Sequence, residues 1–177
     1  MALGRNALVT WGLNEIAFAE LGKIDAATWE QLSLTKQGTF SMSFDAPALT
    51  QIFAEELAEP IATKVGEPGS RTIEIDLPDL SPEVLQFFGG TVATNGSGGR
   101  RVKFPVGNVV LKKMVRIAPT EGAEYLYITN ATVTFNPSGG LTKTGDETFN
   151  IHVTISVNAG LGGTDYEPES IIYDLAD

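Results

Sequence analysis

Apolar and polar residues alternate one by one along several stretches of this chain, the signature of half-buried β-strands. The longest instance runs from Phe149 to Asn158. Phe149, Ile151, Val153, Ile155 and Val157 share one face, and Asn150, His152, Thr154, Ser156 and Asn158 share the other. Residues 39–44 repeat the pattern with Phe40, Met42 and Phe44, and residues 72–77 with Ile73, Ile75 and Leu77. Residues 124–135 are rich in aromatic and β-branched side chains. They predict one long strand, or two joined at a bulge near Asn130, ended by Asn136-Pro137-Ser138-Gly139-Gly140. Strands are also expected at 101–104 and 108–117, with Pro105 to Asn108 as a turn between antiparallel partners. Weaker strand patterns occur at 7–11 and 14–20.

One segment departs from this period. Ser81 suits a helix N-cap, Pro82 the first helical position, and Glu83 the positive end of the helix dipole. Leu80 and Leu85 would close a staple across the cap, Val84, Leu85, Phe87 and Phe88 supply apolar surface, and Gly89-Gly90 stop the helix. A helix of two turns needs a sheet to pack on. Residues 47–58 fit a helix or an extended segment equally, because Leu49, Ile52 and Phe53 have suitable spacing for the former.

These elements predict a mainly β fold: a two-sheet antiparallel β-sandwich or partly closed barrel with one short flanking α-helix at about 81–88. A single domain is expected over 1–160, with arms in the glycine-bearing segments 46–70 and 95–100, and a mobile C-terminal tail over 161–177. With 177 residues and 42% hydrophobic content the chain can bury a core without metals or disulfides, and it has no cysteine. The first residues form no secretory h-region and no run reaches membrane-spanning length, so a product made in the cytoplasm, without a membrane partner, is expected.

The net charge of −10 argues against specific nucleic-acid binding, which draws on cationic contacts to phosphate. Charge is uneven, however. No acidic residue lies between Glu83 and Glu121, while Arg100, Arg101, Lys103, Lys112, Lys113 and Arg116 are all basic. This stretch either pairs with an acidic surface on another copy, for which Glu55, Glu56 and Glu59 are the candidates, or is a solvated strand face whose lysines discourage edge pairing.

Catalytic patterns are weak. His152 is the single histidine and lies on a polar strand face without a Gly-x-Ser-x-Gly elbow. One histidine and no cysteine make a zinc site uncommon. Gly96-Ser97-Gly98-Gly99 lacks the Lys-Ser/Thr ending and following helix of a phosphate loop and reads as a hairpin tip. The carboxylate pairs Glu55–Glu56 and Asp76–Asp79 have no accompanying sugar platform, and Asp146 with Glu147 does not match EF-hand spacing. No catalytic, metal or cofactor-binding residue is assigned, and an enzyme is not expected.

The order of these features resembles that of long-tailed bacteriophage major tail tube proteins. The resemblance rests on Gln51-Ile52-Phe53-Ala54-Glu55-Glu56-Leu57-Ala58-Glu59-Pro60-Ile61, the strand from Gly69 to Leu77, and Ser81-Pro82-Glu83-Val84-Leu85 with Gly89-Gly90. In the C-terminal half it rests on Tyr125-Leu126-Tyr127-Ile128, Ala131-Thr132-Val133-Thr134-Phe135 and the strand at 148–158, and in all it spans roughly two-thirds of the chain. It implies a β-sandwich with a flanking helix, six copies closing into a ring, and rings stacking into a tube that conducts phage DNA. The implied partners are copies of the same chain and other tail proteins, and the implied location is the virion tail. The type VI secretion tube protein shares that fold. Six copies at −10 would carry about −60, and an acidic lumen would let DNA pass without sticking. The alternative is a carbohydrate-binding or adhesin-like β-sandwich, since one strand pattern serves many functions.

Overall fold

A computed structural model of the chain describes residues 13–32, 34–53, 60–67, 69–79, 81–103, 109–119, 124–138 and 150–174. The fold is mainly β. Its strands are β1 (Leu13–Ala19), β2 (Ser41–Phe44), β3 (Leu49–Phe53), β4 (Pro60–Val65), β5 (Arg71–Leu77), β6 (Thr91–Thr94), β7 (Arg100–Lys103), β8 (Leu111–Pro119), β9 (Tyr125–Ser138), β10 (Asn150–Val157) and β11 (Ile171–Asp174). The helix α1 spans Pro82–Phe87, and a lone 3-10 turn covers Ile24–Ala26.

A curled antiparallel sheet of seven strands forms the body, in the order β1-β8-β9-β10-β5-β2, with β11 paired to β9 off this path. Register follows the alternation. On β10 and β5, Ile151 faces Leu77, Val153 faces Ile75 and Ile155 faces Ile73, and all six are buried. Val133 of β9 continues that row beside Ile155. Phe18 and Ile16 of β1 meet Val115 and Ile117 of β8 on the same core.

The helix covers this apolar face as its sequence dictates. Ser81 Oγ accepts the Val84 N–H at 3.5 Å, and Asp79 Oδ1 accepts the Ser81 N–H at 2.7 Å. Phe88 is fully buried and its ring stacks 4.8 Å from Phe135, while Phe87 meets Phe18 at 5.4 Å. Gly89 takes φ +82° after the last turn, and a Cβ on Gly90 would sit 2.6 Å from the Leu85 carbonyl oxygen. Both positions therefore need glycine. Leu80, the other half of the expected staple, lies outside the described residues.

The long strand expected at 124–135 is one element, extended to Ser138, so Asn136 and Pro137 belong to the strand instead of ending it. It changes neighbour at Thr129–Asn130. Residues 125–128 pair with β11, and residues 131–138 pair with β10. The C-terminal segment fastens that crossing point: the Asn130 amide donates to the Ala159 carbonyl at 2.7 Å, and the Thr129 N–H donates to the Ser170 carbonyl at 3.1 Å.

Within the segment expected as a tail, residues 171–174 form β11, which fills the edge of β9 that β10 leaves open. The expected hairpin around Pro105 needs correction. The strands around Pro105 do not pair with each other. β7 pairs with β6, and both edges of β8 are taken by β1 and β9, which leaves no edge of β8 for β7. The segment 47–58 is extended where described, as β3, and residues 54–59 lie outside the described residues.

Candidate functional site

Two surfaces stand apart from the core. The first is a two-stranded ribbon that prolongs the β2–β5 ladder beyond the sheet. After Phe44 opposite Arg71, the Asp45 N–H donates to Ser70 O at 2.8 Å and the Gly66 N–H donates to Ala48 O at 2.7 Å. Leu49 then faces Val65 and the ladder continues as β3–β4. From Phe44 to Phe53 the chain contour is about 30 Å at the usual strand rise. The neck is tight at Gly69, where a Cβ would lie 2.1 Å from the Asp45 carbonyl oxygen.

Every described side chain at 41–52 and 62–67 is exposed. Among them are Met42, Phe44, Leu49, Ile52 and Val65, with Leu49 65% and Val65 62% accessible. Among the described residues no strand pairs with the outer edge of β2, which adds backbone groups to this surface. Hydrogen bonding between Asp45 and Ser70 turns that rung inward, so the alternation of an antiparallel ladder turns the amides of Met42 and Phe44 outward. Ribbon and edge together form an apolar, hydrogen-bonding surface that no other described residue covers.

The second surface is the outer face of the body between β8 and β2. Its side chains fall into transverse rows set by the register. One row runs Lys112, Thr132, Ser156, Thr72, Ser43; the next runs Thr134, Thr154, Glu74, Ser41; the third runs Asn136, His152, Asp76. None is apolar. Lys112 Nζ donates to Thr132 Oγ1 at 2.9 Å, and His152 Nδ1 lies 2.8 Å from Asp76 Oδ1. His152 is therefore half-buried beside a carboxylate, in cross-strand register with it.

The rest of that outer face, over β1 and β8, is covered by residues 20–30. The Phe18–Glu30 bridge lays this segment along β1. Arg116 pins it. The guanidinium donates to Glu15 Oε1 at 2.6 Å and lies 5.2 Å from the ring centroids of both Trp29 and Tyr125. Trp29 also meets Tyr127 at 5.6 Å. Burial first, then the nearby Asp174 carboxylate, raises the Tyr127 phenol above its ordinary pKa. Lys23 reaches the C-terminal segment through the Tyr166 carbonyl and Glu167, clasping the two covering segments together.

The basic candidates are divided by this arrangement. Lys113 pairs with Glu20 and sits 5.2 Å from the Phe87 ring, and Arg116 is committed to Glu15 and the aromatic stack. Lys112 belongs to the polar rows. Arg101 and Lys103 stand exposed on the β6–β7 hairpin, whose strand β7 also contains Arg100. Glu55, Glu56 and Glu59 lie outside the described residues. Sequence reasoning expected an arm at 46–70, where the structure has the β3–β4 ribbon; the outer edge of β2, unpaired among the described residues, is revealed only by strand order.

The remaining chemical candidates are occupied by local structure. At the hairpin tip, Asn95 Oδ1 accepts the N–H groups of Ser97 and Gly99 at 3.0 and 2.8 Å, so those amides are already used. Asp76 bonds His152 while Asp79 accepts the N–H of Ser81, the N-cap of α1, so these two carboxylates serve separate tasks. Asp146 and Glu147 lie outside the described residues. Among the described residues no group of three His, Cys, Asp or Glu gathers to hold a metal, and no helix is long and apolar enough to cross a membrane. The sequence matches no protein-family model and no curated protein.

Proposed function

We propose that this chain is a structural subunit that self-assembles into hexameric rings, which stack into a phage tail tube through which DNA passes. The observation that carries the reading is the β3–β4 ribbon together with the outer edge of β2, which is unpaired among the described residues. A two-stranded ribbon is marginal in water on its own, and an edge that no described strand pairs, beside exposed Met42, Phe44, Leu49, Ile52 and Val65, invites pairing with another chain. Covering it with a second copy through a rotating, heterologous contact closes a ring. In this reading the chain is made in the bacterial cytoplasm, joins other tail proteins, and works without a cofactor.

The order of sequence features that resembles tail tube proteins supports the same reading: the segment from Gln51 to Ile61, the strand to Leu77, and the helix that Ser81 caps follow one another along the chain. Sedimentation velocity with negative-stain imaging of the purified protein tests it. Rings or tubes are the expected result. A monomer at high concentration that binds glycans would overturn the proposal in favour of a carbohydrate-binding sandwich.

A further inference from the structure

We infer that Asn95, at the tip of the β6–β7 hairpin, is a site of spontaneous deamidation through which the protein acquires a negative charge on its basic hairpin. The reaction begins when the backbone nitrogen of the following residue attacks the asparagine Cγ, and a following glycine has no Cβ to crowd that approach. Asn95 is the one asparagine of the chain followed by glycine. Asn14 in β1, Asn130 and Asn136 in β9 and Asn150 in β10 belong to strands, whose paired backbone is held extended. Asn136 also precedes Pro137, which has no N–H, and the buried Asn130 amide is committed to the Ala159 carbonyl. The hairpin tip is different. Gly96 to Gly99 are exposed, and a Cβ on Gly96 would meet nothing within 4 Å.

The turn prepares both reacting groups. Asn95 N–H donates to Gly99 O at 2.7 Å and Gly98 N–H donates to Asn95 O at 3.0 Å, while the Gly96 N–H has no partner among the described residues. That nitrogen is therefore open to water, which can take its proton. Asn95 Oδ1 accepts the N–H groups of Ser97 and Gly99 at 3.0 and 2.8 Å. These donors polarise the Cγ carbonyl and stabilise the negative charge that gathers on Oδ1 as the nitrogen adds. The new bond joins Gly96 N to Cγ, the Cγ–Nδ2 bond breaks, and Nδ2 takes a proton and leaves as ammonia. Water then opens the cyclic imide at either carbonyl, giving aspartate or isoaspartate. Either product puts a carboxylate beside β7, which contains Arg100, Arg101 and Lys103. Aspartate keeps an acceptor for Ser97 and Gly99. Isoaspartate routes the main chain through Cγ, so the carbonyl that accepts the Gly98 N–H leaves the chain and the turn loosens. The tip is thus a slow, one-way charge switch on the hairpin, and it does not depend on the tube reading.

The purified protein is kept in warm, mildly alkaline buffer, and each asparagine is followed by peptide mapping with mass spectrometry, with isoaspartate counted by enzymatic methylation. Asn95 should lose its amide before any other asparagine, and a later-eluting species should grow on anion exchange in step with that loss. Gly96→Ala places its methyl in open space at a φ outside the left-handed range, so it should fold normally and slow the loss severalfold. The wild-type chain unfolded in guanidinium chloride supplies the rate of the bare Asn-Gly sequence. A folded rate equal to it or faster is the expected result. A folded rate far below it would mean that the turn holds Cγ away from Gly96 N, and would overturn the inference. Earlier loss at another asparagine, or a rate unchanged in Gly96→Ala, would overturn it equally.

Discussion

The body and the ribbon of this protein carry the same alternating pattern and meet opposite fates. On β5 and β10 the apolar set of Ile73, Ile75, Ile151, Val153 and Ile155 is completely buried. On β2, Met42 sits directly opposite Ile73 on the same side of the sheet, yet it is 42% accessible, and Phe44 is 44% accessible. One strand separates full burial from exposure. What changes is the cover. α1, with Phe87 and Phe88, packs over the middle of the sheet, and Phe40 is the last residue of the 39–44 pattern to touch the core. Alternation thus declares which face a side chain takes, while cover decides whether the face is dry.

The comparison can be broken first at its strongest point. Phe88→Ala removes the ring that holds the helix to the sheet. It should lower the stability of the free subunit by about 3–5 kcal/mol, read as a fall in the urea midpoint. A change near zero would mean that α1 does not supply the cover. Next comes the covering segment on the outer face. Arg116→Ala strips both cation–π contacts and the Glu15 pair, and it should cost about 1–2 kcal/mol. Arg116→Lys should recover only part of that, because an ammonium cannot lie flat between Trp29 and Tyr125.

The ribbon should behave in the reverse manner. Leu49→Ser together with Ile52→Ser should leave the stability of the free subunit within about 0.5 kcal/mol of wild type. The same variant should lose assembly by sedimentation. A large stability loss without an effect on assembly would make the ribbon part of the body's own core. The smallest effect is expected from charge. Arg101→Glu with Lys103→Glu reverses two exposed cations on the hairpin, each worth roughly 0.2–1 kcal/mol in any one pair. Assembly followed by light scattering should slow at low salt and approach the wild-type rate as salt rises. An unchanged rate at low salt would exclude these cations from the association step.

Much of this was legible in residues alone. The faces of β5, β9 and β10 follow from alternation, and α1 follows from Ser81, Pro82 and the paired glycines at 89 and 90. The projecting segment was legible as a long stretch containing glycine and proline between two strong strand patterns. Less visible was the division of the basic stretch at 100–116. It looks uniform in sequence, yet Lys113 is tied to Glu20, 93 residues earlier, and Arg116 to Glu15, 101 residues earlier. Those pairs exist because β1 and β8 are neighbours, and no local pattern encodes that adjacency.

The sequence by itself therefore determined local matters: which segments are extended, where the one helix begins and stops, and which side chains share a face. Steric preference, capping and period act within a few residues, so they can be read there. Tertiary structure alone decided which strands are neighbours. It gave β7 to β6, set β11 on the half of β9 that β10 leaves, and put β2 at the edge of the sheet among the described residues, with Met42 and Phe44 exposed. Pairing depends on loop closure and on competition among all available edges, and that contest is settled only when the whole sheet is formed.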